Sequence, residues 1–487
     1  MPQNLLRRPT IAFALLVLIA LALRWDTLGD PNLHGDEAFY QSVGVAMHQG
    51  ALPYVDVWDR KPFGLFALTW FIALFSHDMM AFQITAALFA AGTAWTIAAI
   101  ARKAIGDDEA GAGSGPVLAG IAYLLWLAPL QGYGGQSPVF YNLFIALAAL
   151  LVLRARPRLR QGQGPFAVHA AMLLAGLAIT IKTSALFEAA FLGLFAAWAL
   201  WRSPAGKARA LRTAAIWAAI GAAPSLAIAA SYLMIGHWDE YWHAMAGANL
   251  AKGVHWPSAM RRAAIMAAVL SPFLVLAALG FYRLRRAERG FVAGWIGAAL
   301  IGLVAVPNFY LHYALPILVP LSVAGAGVFA RRSIGTIAVA LIAFLSLTVA
   351  PMKPGHATRS AAAIDRLEEL ARGHVGDGPL LLFDAPPQLY TRTGQPFATP
   401  LVFPTHLAHA LERDVSHLST LAETRRVLAL RPGAVVMAHP LRNRPYNEET
   451  HRLVLAYVGQ NCRLVEMVPT LERQRMDMIA VWGDCTR

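Results

Sequence analysis

Charged residues are scarce in this chain of 487 residues: Asp, Glu, Lys and Arg make up 14% of it, against 57% hydrophobic residues. That balance excludes an ordinary soluble enzyme. The motifs of several soluble enzyme classes are also missing, because no Walker loop, Rossmann fingerprint or nucleophile elbow occurs in a supporting context. No internal repeat and no long low-complexity tract is present either. What the chain has instead is a series of long apolar runs.

These apolar runs recur along the first 350 residues, and many approach the roughly 20 residues that cross a bilayer. No small-residue cleavage site precedes the polar Trp25-Asp26 segment, so the first run predicts a retained anchor helix and not a cleaved signal peptide. The chain is therefore expected to be a polytopic α-helical membrane protein. The predicted spans are 10–24, 79–101, 116–130, 138–153, 166–182, 184–201, 213–235, 263–282, 291–306, 313–329 and 334–350.

Basic residues give these eleven spans an orientation. The net charge of +13 is concentrated in short clusters between apolar runs, with no basic stripe interleaved with aromatics, so nucleic acid is not expected as a partner. All the clusters fall on one side, which the positive-inside rule makes the cytoplasm. If the run from Phe63 to Ser76 crossed the membrane, every later basic cluster would lie on the outer side. We therefore predict that this run forms a helix at the outer interface. The clusters are Arg7-Arg8, Arg102-Lys103, Arg154 to Arg160, Arg202 to Arg212, Arg283 to Arg289 and Arg331-Arg332.

From about Pro354 onward the composition changes, and short apolar strings alternate with Pro and Gly breaks. This pattern predicts a small extracytoplasmic α/β domain at 354–487, after a membrane domain at 1–353 with an outer first loop at 25–78. Strands are predicted at 379–383, 434–437, 464–468 and 476–482, and helices near 356–372 and 447–458.

Both cysteines, Cys462 and Cys485, lie in this C-terminal part and flank its last two predicted strands. In an oxidising compartment they can form a disulfide that clamps a terminal hairpin. The alternative is two unpaired thiols. The predicted topology places the tail outside and so favours the disulfide.

The first loop carries the strongest chemical signal: Asp36-Glu37 follows the first span, and Arg60-Lys61 precedes the next apolar run. Charges beside a bilayer are costly to desolvate, so a dense cluster calls for a function. Carboxylates that take a proton and cations that hold a phosphate suggest group transfer from a phospholipid-like donor. Adjacent helical residues point about 100° apart, so only one carboxylate can face a given site. The alternative readings are a helix cap for Asp36 and a snorkelling side chain for Lys61.

Other candidates are also predicted to face outward. Lys182 ends an apolar run and is a candidate to bind an anion, although it can also mark the interface. Aromatic residues at an interface commonly form a belt, which is the alternative for most of the remaining candidates. A divalent cation held by some grouping of His34, Asp36, Glu37 and His312 stays open, although no spacing matches a defined metal motif. The candidate substrate-binding residues are Tyr40, Tyr54, His255, Tyr310, His312 and Tyr313.

The order of these motifs resembles the polyprenyl-phosphate-sugar glycosyltransferases of the GT-C superfamily. A first span, Asp-Glu-Ala-Phe-Tyr from Asp36, and the segment from Pro53 to Pro62 carry the likeness, which covers roughly residues 1–200 and the Tyr310 to Pro316 turn. Within the superfamily it is similar to the bacterial branch of lipid A aminoarabinose transferases and relatives of protein O-mannosyltransferases. The resemblance implies a GT-C-like fold in the bacterial inner (plasma) membrane. It also implies a periplasmic active site and C-terminal domain, and a sugar donor on undecaprenyl or dolichyl phosphate.

By the same resemblance, Asp36 would be the catalytic base with Glu37 beside it, and Lys61 and Lys182 would hold the lipid phosphate. Independently of the resemblance, the positive charge of Arg60 and its position next to Lys61 make it a further candidate to bind that phosphate. The chain has Lys-Pro-Phe where family members commonly have Lys-Pro-Pro, and Arg60 stands where some relatives have an acidic residue. Metal dependence and the acceptor (lipid A, an envelope glycan or a protein) therefore stay open. Membrane lipids are the remaining expected partners.

Three rival functions remain. A transporter or flippase of a lipid-linked sugar is also polytopic, but such proteins usually place charges at the membrane midplane on repeated halves. A non-catalytic scaffold would need neither Asp36 nor Lys61. A polymerase or ligase using a diphosphate-linked oligosaccharide would differ in the lipid intermediate that accumulates on deletion.

Overall fold

The computed structural model describes residues 8–106, 114–248, 253–442, 444–472 and 475–485. Arg7 of the first basic cluster and residues 249–252 therefore lie outside the described residues. The chain divides into two compact units. The first comprises Met1–Trp25, Ile84–Ile228 and His255–Met352, and the second comprises Asp26–Gln83, Ala229–Val254 and Lys353–Arg487.

Helices dominate the described chain up to residue 374. In chain order they are α1 (Pro9–Ala22), α2 (Gly35–His48), α3 (Phe63–Ala73), α4 (Met79–Ile105), α5 (Gly115–Trp126), α6 (Ser137–Arg160), α7 (Phe166–Ile181), α8 (Leu186–Trp201), α9 (Lys207–Met234), α10 (Trp238–Trp242), α11 (Trp256–Phe281), α12 (Arg286–Val304), α13 (Leu315–Phe329), α14 (Arg332–Val349) and α15 (His356–His374). Short 3₁₀ turns at Thr183–Ala185 and Leu311–Ala314 lead into α8 and α13.

Within the described ranges, seven helical segments are long and apolar enough to cross a membrane, namely α4, α6, Thr183–Trp201, α9, α11, α12 and Leu311–Phe329. The shorter apolar helices α1, α5, α7 and α14 coincide with the other four predicted spans. The 11-residue helix α3 coincides with the run predicted at the outer interface. A helix suits an apolar environment because it satisfies its backbone hydrogen bonds internally. The expectation of a polytopic α-helical membrane protein is confirmed.

The first unit packs around α13, every residue of which is buried. Small residues allow α11 to approach it closely: a Cβ on Gly280 would lie 2.4 Å from the carbonyl oxygen of Ala324. Close backbone approach through glycine is typical of helices that pack in a membrane. At the other extreme, α9 exposes large apolar side chains such as Leu211, Leu226 and Leu233, which suits contact with lipid.

The second unit contains a mixed sheet built from four strands of the described C-terminal region. They are β1 (Leu380–Phe383), β2 (Ala434–Ala438), β3 (Arg463–Glu472) and β4 (Arg475–Gly483), in the order β1-β2-β4-β3. β1 pairs with β2 in parallel, and the other two pairings are antiparallel. The accompanying helices are α16 (Gln388–Thr393), α17 (Pro404–Ala408), α18 (Thr420–Ala429) and α19 (Glu448–Asn461). The strands and the helices α15 and α19 lie where the sequence predicts them, whereas α16, α17 and α18 were not predicted.

The segment Asp26–Gln83 belongs to this second unit and not with the spans, so the division into compact units differs from a sequential one. Hydrogen bonds between residues distant in sequence explain the difference. The backbone N–H of Trp58 donates to the carbonyl of Pro400 at 2.8 Å. Ser360 Oγ donates to the buried carboxylate of Asp30 at 2.6 Å. The first loop and the C-terminal residues therefore belong to one folded unit.

A disulfide joins Cys462 and Cys485, which lie just beyond the paired ends of β3 and β4. The backbone pairing of Arg463 with Gly483 already brings these strand ends together. The bridge therefore closes a hairpin that the sheet has formed, at the position where the spacing of the cysteines predicts it.

Removing this bridge by Cys462→Ser/Cys485→Ser should lower the stability of the protein. The two cysteines are 23 residues apart, and releasing a loop of that length gives the unfolded chain entropy equivalent to about 3 kcal/mol. Thermal unfolding of the detergent-solubilised variant should therefore begin at a lower temperature, and reducing the wild type should reproduce the shift. Two titratable thiols in unreduced protein would contradict the pairing.

Candidate active site

The N-terminus of α2 fixes the first charged motif. His34 has an extended backbone conformation and is the N-cap, because its Nδ1 accepts the N–H of Asp36 at 3.3 Å. Glu472 at the end of β3 accepts the N–H of Gly35 at 3.1 Å. These side chains supply acceptors for N–H groups that the first turn of a helix leaves unpaired. The cap is thus His34, and Asp36 is not held in that role.

Asp36 faces Lys61. Its Oδ1 lies 3.4 Å from Lys61 Nζ, and the two side chains are 16% and 25% exposed. Glu37, one residue later, is only 1% exposed. The expectation that only one of the adjacent carboxylates can face a given site therefore selects Asp36 as the one beside the lysine.

A second carboxylate holds Lys61 from the other side. Asp59 Oδ1 accepts the backbone N–H of Lys61 at 2.9 Å and lies 3.6 Å from its Nζ. The ammonium also lies 5.2 Å from the ring centre of Tyr40 and 5.7 Å from that of Phe403, within range of cation–π attraction. Both the backbone and the charged end of Lys61 are therefore positioned before any ligand arrives.

The two tyrosines predicted to bind substrate have different environments. Burial raises the pKa of Tyr40 well above its usual value, so its phenol stays neutral beside Lys61. Tyr54 is fully buried, and its hydroxyl donates to the carbonyl of Lys61 at 2.9 Å. Its ring packs against Phe66 and Tyr232. Tyr54 therefore supports the lysine from within the protein, and the expectation that it contacts a substrate stays a prediction.

Arg60 was predicted at the donor phosphate, but the structure gives it another partner. Its two terminal nitrogens donate to both carboxylate oxygens of Glu412, at 2.7 and 2.9 Å. The side chain of Glu412 is 5% exposed, and such a bidentate pair is geometrically well defined. Arg60 thus ties the first loop to the C-terminal residues of the same unit, and its expected role at the donor phosphate stays a prediction.

Three contributors to this cluster come from residues that the sequence did not single out. Asp59 lies inside the segment from Pro53 to Pro62, so its position two residues before Lys61 was a signal that could have been used. Phe403 and His406 come from the C-terminal region. His406 Nε2 lies 3.7 Å from Asp59 Oδ2, and burial lowers the pKa of His406 to about 4, so it is neutral at neutral pH. No local pattern marks either C-terminal residue.

A separate cluster in the first unit contains Lys182, the residue that follows α7. Its Nζ lies 4.1 Å from the ring centre of Tyr313, a close cation–π contact. Tyr313 packs edge-on against His312, with ring centres 4.8 Å apart. The buried Glu188 lines the same small cavity as Lys182 and accepts the indole N–H of Trp295 at 2.7 Å. Three of the predicted residues, Lys182, His312 and Tyr313, are thus neighbours.

Two further predicted residues of the first unit have local partners. Tyr310 is stacked on His312 and lies under the guanidinium of Arg262, 4.6 Å from the ring centre. His255 precedes α11, and its Nδ1 lies 2.8 Å from Ser258 Oγ. The geometry by itself gives neither residue a substrate contact.

A divalent cation was left open by the sequence. In the part of the chain that the structure describes, no three His, Cys, Asp or Glu side chains gather into a group that would hold a metal ion. The possible grouping of His34, Asp36, Glu37 and His312 is therefore not among the groups formed by the described residues.

The fold is shared with solved structures of other proteins. Two solved structures with this fold are ArnT from Cupriavidus metallidurans, one bound to undecaprenyl phosphate and one in the apo state. They match with TM-scores of 0.53 and 0.54 and identities of 16% and 15%, covering 96% and 97% of this chain and 97% of each ArnT chain.

A third structure is more distant. The Archaeoglobus fulgidus oligosaccharyltransferase in complex with Zn and sulfate matches with a TM-score of 0.47 and 12% identity, over 88% of this chain and 68% of its own. The comparison of folds therefore rests on the two ArnT structures. No family model matches the chain, and no curated protein matches it.

The structural role of Arg60 can be tested by substitution. Arg60→Ala and Glu412→Ala should each destabilise the protein by about 3 kcal/mol, because each leaves a largely buried charge without its partner. The double variant should be no less stable than either single one, and the exchange Arg60→Glu/Glu412→Arg should recover part of the loss. Thermal unfolding monitored by tryptophan fluorescence measures all four.

Arg413, the residue after Glu412, provides a matched control. Its side chain is half exposed and pairs with Asp414 and Glu449, so Arg413→Ala should cost less than about 1 kcal/mol. Unchanged stability of Arg60→Ala, combined with loss of a bound polyprenyl phosphate, would favour the phosphate-binding role predicted from the sequence over the structural one.

Proposed function

We propose that this protein transfers a sugar from a polyprenyl-phosphate donor to an acceptor on the outer side of the membrane, with inversion at the anomeric carbon. The observation that carries the proposal is the distance of 3.4 Å between Asp36 Oδ1 and Lys61 Nζ. Transfer needs a base for the acceptor and a cation for the leaving phosphate in one site, and this pair places both there. Entry of the donor separates the two groups, so that Asp36 lies on the acceptor side of the anomeric carbon and Lys61 on the phosphate side. The fold adds support, because ArnT with a similar fold has been solved with undecaprenyl phosphate bound.

In this reaction Asp36 removes the proton from an acceptor hydroxyl as the oxygen attacks the anomeric carbon. The bond between that carbon and the phosphate oxygen breaks on the opposite face, and the electron pair leaves with the polyprenyl phosphate. The phosphate gains negative charge as the bond breaks. Lys61, already oriented by Asp59, stabilises that charge more in the transition state than in the ground state.

Charge balance indicates that Lys61 does not act alone. The formal charges of Asp36, Asp59 and Lys61 sum to −1, and Arg60 is matched by Glu412. Binding an anionic phosphate beside a net negative cluster requires a further cation. The resemblance assigns Lys182 to the donor phosphate as well, and we keep that assignment as part of the proposal.

The proposed setting follows from the arginine clusters and from the fold. The N-terminus is cytoplasmic, and Asp36, Lys61 and the C-terminal sheet face the periplasm of a bacterial inner membrane. A polyprenyl donor enters such a site from the bilayer, so the reacting carbon is presented at the interface. The acceptor is lipid A, an envelope glycan or a protein.

Replacing Asp36 should abolish transfer without unfolding the protein. Asp36→Asn keeps the size of the side chain but removes the base, so release of undecaprenyl phosphate should fall by at least about 100-fold. The assay supplies synthetic undecaprenyl phosphate carrying mannose, glucose or 4-amino-4-deoxyarabinose, with an outer-envelope extract as acceptor, and measures the released lipid by mass spectrometry. The thermal unfolding temperature should change little.

Asp56→Asn is the matched control, because Asp56 is an exposed carboxylate of the same loop that caps the backbone N–H of Leu52. It should retain wild-type transfer. Transfer by Asp36→Asn at a rate near that of wild type would overturn the assignment of the base.

A further inference from the structure

The second unit contains a cavity on the side of α2 away from Asp36. Its volume is ≈ 300 Å³, which falls in the range of small-molecule sites. Gln41 and Val45 contribute to it from α2. They follow Asp36 by five and nine residues, so at about 100° per residue they point to the opposite side of the helix. Neither Asp36 nor Lys61 lines this cavity.

Gln388, the first residue of α16, gives the strongest indication of a ligand. The residue is 2% exposed and lines the cavity, and its Nε2 donates to the carbonyl of Pro31 at 3.0 Å. Its Oε1 is buried and has no hydrogen-bond partner among the residues that the structure describes. Buried polar atoms in folded proteins are nearly always paired, so an orphaned acceptor beside a cavity calls for a donor from a bound molecule.

The neighbouring side chains are also acceptors. Asp78 Oδ1 accepts the N–H of Met80 at 3.0 Å, and a carboxylate has several further lone-pair positions. Thr391 Oγ1 donates to the carbonyl of Gln388 at 3.1 Å, which leaves the hydroxyl oxygen as an acceptor. Gln41 Nε2 donates to the carbonyl of His77, so its amide oxygen is likewise an acceptor. The lining thus favours a ligand that brings several donors.

Charge narrows the class of ligand. The lining includes Arg392, but that guanidinium donates to Glu368 at 2.8 Å and to Asp365 at 2.5 Å. Its charge is therefore compensated by two carboxylates, and Asp78 contributes the remaining formal charge of the lining. An anionic ligand such as a phosphate is disfavoured here, whereas clustered hydroxyl groups suit the acceptors.

We infer that this cavity is a saccharide-binding site in which Gln388 and Asp78 accept hydrogen bonds from the hydroxyl groups of one sugar unit. The class of ligand follows from the lining. Its place in the reaction rests on the proposed function: the site would hold a sugar of the acceptor other than the one that receives the transferred group.

The test uses the full chain in nanodiscs of phosphatidylethanolamine and phosphatidylglycerol, which avoids sugar-based detergents. Saturation-transfer difference NMR is recorded with glucose, galactose, mannose, glucosamine and N-acetylglucosamine in turn. At least one sugar should receive saturation from the wild type. Gln388→Leu should weaken its binding by about tenfold or more, since it removes the orphaned acceptor and an amide donor.

Two further variants guard against misfolding and against a site elsewhere. Ala361→Phe fills the cavity without removing a polar group and should also abolish binding. Gln460→Leu, at an exposed position of α19, should leave binding unchanged. Asp36→Asn should bind the sugar as well as wild type does, even when it transfers nothing, which separates this inference from the proposed function. No saturation of any sugar, or loss of binding in Asp36→Asn with retention in Gln388→Leu, would overturn the inference.

Discussion

The position of one ammonium group governs the candidate active site. Lys61 Nζ lies 3.4 Å from Asp36 and 3.6 Å from Asp59, and the backbone N–H of the same lysine is bonded to Asp59. A lysine side chain has several rotatable bonds, and ordering it costs conformational entropy. The contacts of the ammonium with two carboxylates and with the rings of Tyr40 and Phe403 offset that loss of entropy in the folded protein. The ammonium of Lys61 is therefore ordered in the folded protein before any ligand binds, which the proposed stabilisation of a leaving phosphate requires.

The rest of the second unit can be understood as the support of this lysine. Tyr54 bonds to its carbonyl from a fully buried position, and Arg60 next to it is tied to Glu412. Next to Asp36, the side chains of His34 and Glu472 accept backbone N–H groups in the first turn of α2. Residues far apart in the chain thus converge on two side chains, which explains why the outer loop and the C-terminal residues fold as one unit.

Local signals were sufficient for much of the architecture. Every predicted span corresponds to a described helix, because apolar runs of this length require internally satisfied backbone bonds. The alternation of apolar strings with Pro and Gly located the strands of the C-terminal sheet. Asp36 and Lys61 were identified because they stand in one loop beside a predicted span, where unexplained charge is expensive. Helices α16, α17 and α18 were missed, since two of them have only five or six residues.

Long-range contacts were not accessible in the same way. Glu412 lies 352 residues from Arg60 in the chain, so nothing in the sequence near Arg60 indicated that a carboxylate pairs with its guanidinium. The burial of Tyr54 was hidden for the same reason, because its ring neighbours include Tyr232. Gln388 belongs to a short helix that the sequence did not predict, and its unpaired oxygen becomes visible only when the surrounding cavity is known.

The central claim is that Lys61, held by Asp59 and Asp36, binds the phosphate of a polyprenyl donor. The most direct measurement is mass spectrometry of lipids that co-purify with the wild type, with a Lys61→Ala/Lys182→Ala variant and with the control Lys353→Ala. A polyprenyl phosphate, bare or glycosylated, should accompany the wild type and the control and be lost from the double variant. Equal amounts in all three proteins, or no isoprenoid phosphate in any, would contradict the account.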